Sequence, residues 1–176
     1  MTARLPLYLA FVLVLCVSLP ASVYPQTRSG GCTIEPIGGT SRQRIVCRDG
    51  LSIIVENGAR YTLLSRSGGN NVDAVRLRAK ALLLDFSGRK APSGVEVVTP
   101  QAIAAVRGTK WVVDVAQAST SVFVISGRVE VRRSNGANRV SLQPGEGVDV
   151  DRGSGPLTIK QWPASRVDAL LSRLGQ

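Results

Sequence analysis

Short runs in which apolar and polar residues alternate recur along this chain, and they predict an all-β protein. The clearest run covers 110–116 and has one apolar face and one mixed face. Alternation with a period of two is typical of a half-buried strand. The apolar face carries Trp111, Val113 and Val115, and the mixed face carries Lys110, Val112, Asp114 and Ala116.

Further strands are predicted where β-branched runs lie between turn residues such as Asn57-Gly58 and Pro144-Gly145. These runs are 43–47, 51–55, 61–64, 75–80, 82–86, 102–106, 122–125, 128–133, 140–142 and 148–150. Many short strands with regular turns favour a β-sandwich or barrel. A short β-solenoid is the alternative, because valine-rich rungs with glycine turns also suit stacking.

A different period appears after the strands, in 153–176, which we interpret as a linker followed by an amphipathic helix. Pro163 suits the first turn of a helix, and Gly175 suits its end. Apolar residues at helical spacing are Val167, Leu170, Leu171 and Leu174. We expect this stripe to pack on the sheet, with a partner-docking helix as the alternative. Trp162 is predicted to staple the helix to the domain rather than to stand exposed.

The first 21 residues are typical of a secretory signal peptide: Arg4 precedes an apolar run that ends near Pro20-Ala21. An uncleaved membrane anchor is the alternative, because the cleavage site lacks a clean pattern of small residues. Residues 22–43 are polar and rich in glycine, and we interpret them as a tail. The domain plan is therefore 1–21 signal peptide, 22–43 tail, 44–152 β domain and 153–176 linker with helix.

Removal of the leader leaves two cysteines, Cys32 and Cys47, which we expect to form a disulfide in an oxidising compartment. The chain contains no histidine. This excludes Ser-His-Asp and Cys-His catalysis and histidine-ligated metal sites. No metal, cofactor or catalytic residue is predicted, and the paired acidic residues of 149–151 lack surroundings that would tune a general acid.

The net charge is +10, and loss of Arg4 with the leader lowers it to +9. A basic surface favours anionic partners. The strand 75–80 would place Arg76, Arg78 and Lys80 on one face. This stripe is either a solvated sheet face or a site for an anionic ligand. Nucleic acid is not an expected partner, because aromatic residues make up only 5% of the chain and a leader would export it.

The segment TPQAIAAVRGT at 99–109 is the most specific motif, and it is followed by SGRVEV at 126–131 and VSLQPGEG at 140–147. Over roughly 45–151 the chain resembles the FecR-type domain, the periplasmic module of bacterial iron-dicitrate-type sensors. Arg107 is interpreted as a structural arginine, with partner or ligand contact as the alternative. The structural motif comprises Pro100, Arg107, Gly108, Thr109, Trp111, Gly127 and Gly145, and Glu146 matches the family's glycine-glutamate turn without a catalytic role.

The resemblance implies a jelly-roll-like β-sandwich of short antiparallel strands and a non-enzymatic sensory or scaffolding role in the cell envelope. An envelope protein is the expected partner, and anionic envelope polymers or lipid head groups are the alternative. The expected location is the periplasm or the exterior. Because only four residues precede the apolar run and the chain ends in one helix, we expect neither a cytosolic segment for sigma-factor control nor the family's C-terminal transporter-contacting module.

Overall fold

A computed structural model describes residues 27–29, 31–65, 71–86, 94–106 and 108–176. Fourteen strands and one short helix lie in these ranges, which confirms the prediction of an all-β protein with a C-terminal helix. The predicted signal peptide and Arg107 lie outside the described residues. No helix in the described ranges is long and apolar enough to cross a bilayer.

The strands follow the alternating runs of the sequence closely. In chain order they are β1 (Thr27–Ser29), β2 (Cys32–Pro36), β3 (Gln43–Cys47), β4 (Leu51–Val55), β5 (Arg60–Leu64), β6 (Ala74–Phe86), β7 (Val95–Val98), β8 (Ala102–Val106), β9 (Lys110–Val115), β10 (Ser119–Ser126), β11 (Val129–Arg133), β12 (Arg139–Leu142), β13 (Glu146–Asp151) and β14 (Ile159–Gln161). The helix is α1 (Ala164–Arg173).

The strands form two sheets that share β6. Sheet I has the order β1-β2-β3-β4-β6-β9-β10-β13-β14, and sheet II has the order β5-β6-β7-β8-β11-β12. Neighbours are antiparallel with one exception: β6 and β7 are parallel. The antiparallel ladders do not fit the parallel rungs of a β-solenoid, so that alternative is wrong.

Strand β6 is thirteen residues long, so the prediction of two separate short strands at 75–80 and 82–86 is wrong. Its first half pairs with β5 and β7 in sheet II, and its second half pairs with β4 and β9 in sheet I. The change occurs at Lys80, whose φ is 69°, next to a bulge against β5. A bulge adds one residue and bends the strand. Consequently Val75 and Leu77 face the core before the bend, whereas Leu82 and Leu84 face it afterwards.

One apolar core lies between the two sheets and receives side chains from both, which makes the fold a two-layer sandwich. Trp111 is the largest of its fully buried side chains. The predicted alternation of β9 is confirmed, since Trp111, Val113 and Val115 belong to this core. Val112 points the other way and is also buried, because α1 covers that side of the sheet.

Helix α1 packs on the outer face of sheet I and builds a second, smaller core there. Leu170 and Leu174 are buried in it, and Val167 and Leu171 are partly buried, so the predicted stripe is a packing stripe. Trp162 lies just before the helix and is 8% exposed. Its indole stacks on Phe123 with ring centroids 5.1 Å apart. The staple predicted for Trp162 is therefore present.

The indole of Trp162 can lie this low because residue 147 is a glycine. A Cβ atom added to Gly147 would be 2.3 Å from Cε2 of Trp162. Such a separation is far inside contact distance, so any side chain at this position must displace the ring.

Cys32 and Cys47 are directly opposite in the β2–β3 hairpin and form the predicted disulfide. The bond closes a loop with a sequence separation of 15. The segment 22–43, interpreted as a polar tail, contains β1 and β2. Strand β2 pairs with β3 over its whole length, so this segment adds strands to the edge of sheet I.

Candidate interaction surface

The predicted basic stripe lies on β6, around its bend. Arg76 and Arg78 alternate with buried Leu77 and point outward from sheet II, and Lys80 is exposed at the bend itself. The positive φ of Lys80 ends the alternation, so the three side chains do not continue one strand face as predicted. In the described ranges none of the three makes an ion pair.

The strand registers extend this basic patch into a row across the outer face of sheet II. Arg76 lies opposite Val98, Val98 opposite Ile103, Ile103 opposite Arg132, and Arg132 opposite Arg139. Strands in a sheet are about 4.8 Å apart, so the backbones at Arg76 and Arg132 are about 14 Å apart. The row therefore has arginines at both ends and partly exposed apolar side chains between them.

Two glutamates share this outer face, Glu96 and Glu130. Glu130 lies diagonally from Arg139, and their side chains form an ion pair of 3.2 Å. Five arginines and two glutamates on β5, β6, β7, β11 and β12, counting exposed Arg60 on β5, give the face a net charge of +3. The alternation of 128–133 places Arg132 on an outward face but does not join it to the β6 stripe. The Asn135-Gly136 turn is a local signal that Arg139 lies beside Arg132, because it folds β12 back on β11, but it does not connect these two arginines to β6.

The 99–109 motif has a structural basis in a turn between β7 and β8. The Thr99 hydroxyl donates to the carbonyl of Ala102 at 2.9 Å and accepts from its N–H at 2.9 Å. Pro100 is the second residue of this turn, a position that suits its fixed φ. The buried Thr120 hydroxyl lies 2.8 Å from Oε1 of Gln101 and 2.9 Å from Oγ1 of Thr99. The turn is thus tied to sheet I from inside.

Gly108, Thr109 and Gly127 meet where β9 begins and β10 ends. The Thr109 hydroxyl donates to the carbonyl of Arg128 at 3.0 Å. Gly127 has a φ of +84°, and a Cβ there would be 2.7 Å from the Thr109 hydroxyl oxygen. Glycine is therefore required on both counts. These motif residues act in packing, as does fully buried Trp111.

A buried arginine is present, but at a position that the sequence does not single out. Arg133 is 5% exposed and donates from Nη1 to the carbonyl and the carboxylate of Asp151, at 2.9 and 3.0 Å. Its Nε donates to the carbonyl of Gly155 at 3.0 Å. The Arg133 guanidinium also holds the pKa of Asp151 below its usual value. Arg133 thus pins the 151–155 segment to sheet II.

The turn at Gly145 and Glu146 is structural as well. The Glu146 carboxylate accepts from the N–H of Gln143 at 2.8 Å, which closes the turn. The N–H of Trp162 donates to the carbonyl of Gly145 at 3.2 Å, so the turn also positions the indole before α1.

A cleft of about 220 Å³ lies beside α1, and ion pairs occupy its walls. Arg166 donates to Asp149 from both terminal nitrogens and lies 3.5 Å from the centroid of the Trp162 ring. Its hydrogen bonds are the main reason why the pKa of Asp149 is lowered, and the Ser121 hydroxyl adds to the effect. These groups satisfy each other and leave no charge free for a ligand.

A second group of ion pairs holds the far end of the helix. Arg173 donates from Nη1 to Asp114 at 2.7 Å and from Nη2 to Glu56 at 2.6 Å. The carboxylates of Asp114 and Glu56 raise the pKa of Arg173. Buried Glu56 also accepts from the N–H of Ala81 at 2.8 Å, so this group is connected to β6 just after its bend. In the described ranges no group of acidic or cysteine residues has a metal-binding arrangement.

Two crystal structures have this fold, both of candidate anti-sigma factors from Parabacteroides distasonis ATCC 8503. One, at 1.65 Å resolution, is 21% identical, with a TM-score of 0.57 over 74% of this chain and 60% of that chain. The other, at 2.50 Å, is 20% identical, with a TM-score of 0.58 over 80% and 64%. This chain thus spans less than two thirds of the length of these relatives.

No match is found among curated protein sequences. A family profile described as FecR protein matches residues 36–130, more than half of the chain. The match includes most of both sheets and ends within β11, and it confirms the resemblance carried by the 99–109 motif. The chain therefore belongs to the FecR protein family.

Proposed function

We propose that this protein is an exported, non-enzymatic interaction domain that binds a protein of the cell envelope and serves transmembrane signalling by sensing or scaffolding. The observation that carries the proposal is that Arg76 and Arg78 are exposed on the outer face of sheet II and make no ion pair with any residue the structure describes, on a domain of the FecR family. The fold shared with candidate anti-sigma factors supports a signalling role.

Export is supported by two features of the chain. The first 21 residues have the pattern of a signal peptide, and an uncleaved anchor would leave the domain on the same side of the membrane. The Cys32–Cys47 disulfide suits an oxidising compartment such as the periplasm.

The same patch supports a second candidate function, the binding of anionic envelope polymers or lipid head groups. In the described part of the chain, Arg76, Arg78 and Lys80 are exposed cations without ion-pair partners, and the whole chain has a net charge of +10. Salt separates the two functions, because attraction between exposed charges is screened within about 8 Å at physiological ionic strength. An interface with an apolar centre depends less on salt.

The test is a crosslinking pull-down with the full chain expressed in its own host, washed at low and at high salt. Recovery of one envelope protein at both salt concentrations supports the proposed function. The second function is supported if the protein retains purified sacculi or phosphatidylglycerol vesicles at low salt. This retention should be lost at high salt and in the triple variant Arg76→Gln, Arg78→Gln and Lys80→Gln. The matched control neutralises exposed Arg44, Arg48 and Arg128. Recovery of neither class of partner contradicts both functions.

A further inference from the structure

We propose that the protein partner docks on the outer face of sheet II and presents an apolar centre flanked on two sides by carboxylates. This inference rests on the proposed function, since it assumes that the partner is a protein. It goes further by naming the face, the residues and the chemistry of the partner. The docking face is defined by Arg76, Arg78, Val98, Ile103, Arg132 and Arg139.

The two sheets of the sandwich differ on their outer sides. Helix α1 packs on sheet I and buries apolar residues of that face, including Leu83 and Phe123. The outer face of sheet II has no described helix over it. Its central positions nevertheless carry the apolar side chains of Val98 and Ile103, which lie directly opposite each other and are only partly buried. A sheet face that water alone covered would favour polar residues at these positions.

The arginines of the docking face lie where they destabilise the sheet. Arg132 and Arg139 are directly opposite on neighbouring strands, an unfavourable arrangement of like charges. Of these two arginines, Arg139 forms the ion pair with Glu130. Arg76 has Thr62 and Val98 as its opposite residues on the neighbouring strands, and neither is a carboxylate. Departures from the stabilising choice are expected at functional sites. Carboxylates from outside would relieve this repulsion at both ends of the row.

The apolar centre favours a protein over a polymer or a membrane. A polyanion is best held by cations along its whole path, whereas this row has two apolar strands between Arg76 and Arg132. An apolar centre with arginines around it is instead the composition of a protein interface. A second copy of this chain does not fit, because the face has a net charge of +3 and would repel itself.

The size of the face indicates how tightly it binds. Six strands about 4.8 Å apart are about 24 Å across, and four or five residues along each strand add about 15 Å. A flat face of about 360 Å² belongs to the small, transient class of interfaces. We therefore expect rapid exchange, which calls for covalent trapping.

The experiment places a photo-crosslinking amino acid at single positions of the full chain in its host cell. Thr62 and Ser141 are exposed positions on the docking face: Thr62 lies opposite Arg76, and Ser141 is two residues from Arg139. Gln117 and Asn57 are exposed positions in turns and serve as controls. We expect Thr62 and Ser141 to trap the same protein, through a segment with apolar residues between acidic ones, and the controls to trap none.

Charge reversal then tests the chemistry of the contact. Arg76→Glu with Arg132→Glu should lower the adduct yield about ten-fold or more, because like charges across an interface suppress binding. Arg44→Glu with Arg48→Glu, which has the same change in net charge, should leave the yield unchanged. Changing the trapped segment's carboxylates to lysine should restore the adduct with the Glu variants. If the double Glu variant has a lower Tm than the wild type, the double variant Arg76→Gln with Arg132→Gln is used instead, because it removes the two charges without reversing them.

Three outcomes overturn the inference. Absence of an adduct from Thr62 and Ser141, while the pull-down recovers an envelope protein, places docking elsewhere and leaves the proposed function intact. If a partner is trapped from Thr62 and Ser141 but charge reversal leaves the adduct yield unchanged, the partner does not bind the arginines through carboxylates. The third outcome is that no protein adduct forms and that sacculi or phosphatidylglycerol vesicles bind the wild type but not the Glu variants. The ligand of this face would then be a polymer or a membrane, and the proposed function would be contradicted as well.

Discussion

Truncation of Trp162 tests how α1 is held on sheet I. A buried tryptophan removes about 150–250 Å² from water, which is worth about 4–6 kcal/mol at about 25 cal/mol per Å². This value is an upper estimate, because the unfolded chain also buries some of that area. In other proteins, truncation of a buried tryptophan to alanine costs about 3–5 kcal/mol. Because Trp162 is 8% exposed and stacks on Phe123, we expect Trp162→Ala to lower the free energy of unfolding by about 4 kcal/mol.

The assay is urea unfolding followed by circular dichroism, with a thermal melt as a second measurement. A loss of about 4 kcal/mol corresponds to roughly 8–16 °C in Tm for a chain of this size. Trp162→Phe keeps a ring in place and should lose less than half as much. Amide exchange should show α1 losing protection more than β9 does. A loss below about 1 kcal/mol would refute the staple, because a ring truncated from a real core site costs more.

Gly147 gives an independent check on the same contact. A methyl group there would be 2.3 Å from the indole, so Gly147→Ala should cost about 1–3 kcal/mol in the wild type. In a Trp162→Ala background the ring atoms nearest to the methyl group are gone, and its cost should fall to within about 0.5 kcal/mol of zero. Equal costs in the two backgrounds would mean that the ring does not lie on residue 147.

Three further predictions concern the disulfide, the loss of stability at acidic pH and Arg107 of the 99–109 motif. Replacing Cys32 and Cys47 together by serine should cost about 3 kcal/mol, because the bond closes a loop of about 15 residues in the unfolded chain; an unchanged urea midpoint contradicts this. The hydrogen bonds from Arg166 depress the pKa of Asp149, so its stabilisation is complete above the unfolded-state value of about 3.9 and is lost as the pH falls through the lower folded-state value. Asp149→Asn should therefore reduce the fall in the free energy of unfolding at acidic pH, and superimposable plots of that free energy against pH for variant and wild type would contradict this. Arg107→Ala should lower Tm if this arginine is structural, and a variant that melts normally but loses its partner would overturn that interpretation.

The strands with strong alternation could be predicted from the sequence because a period of two records which face is buried. The predicted strands 43–47 and 51–55 coincide with β3 and β4. The disulfide could be predicted because only two cysteines lie outside the predicted leader. The helix could be predicted because its apolar spacing changes from two to about four residues.

Other features depend on contacts between distant segments and leave little trace in local pattern. Strand β6 resembles two strands in the sequence because the bulge at Arg78 and the positive φ of Lys80 interrupt the alternation while the hydrogen bonding continues. Strand β2 resembles a tail because its outer residues are polar, whereas pairing with β3 defines it. Arg133 resembles one more surface cation, although it continues the inward side of β11 after Val129 and Val131, and the carbonyls of Asp151 and Gly155 that accept its hydrogen bonds come from a distant segment.

The docking face shows the same limit. Arg76 and Arg132 are 56 positions apart in the chain, and they share a row only because β7 and β8 lie between β6 and β11. The sequence predicts that each arginine points outward from its own strand. It does not predict which outward faces join, because strand order is set by pairing at long range.

The bend of β6 has a consequence for how the gene can change. The core contacts of this strand use odd positions before Lys80 and even positions after it, because the bulge contains one extra residue. Deletion of one codon there would restore a uniform alternation and, with it, a straight strand. A straight strand cannot follow both sheets, so its pairing with either β5 and β7 or β4 and β9 would be lost. Substitutions at Arg78 or Lys80 are therefore tolerable in principle, whereas the number of residues between Leu77 and Leu82 is fixed by the fold.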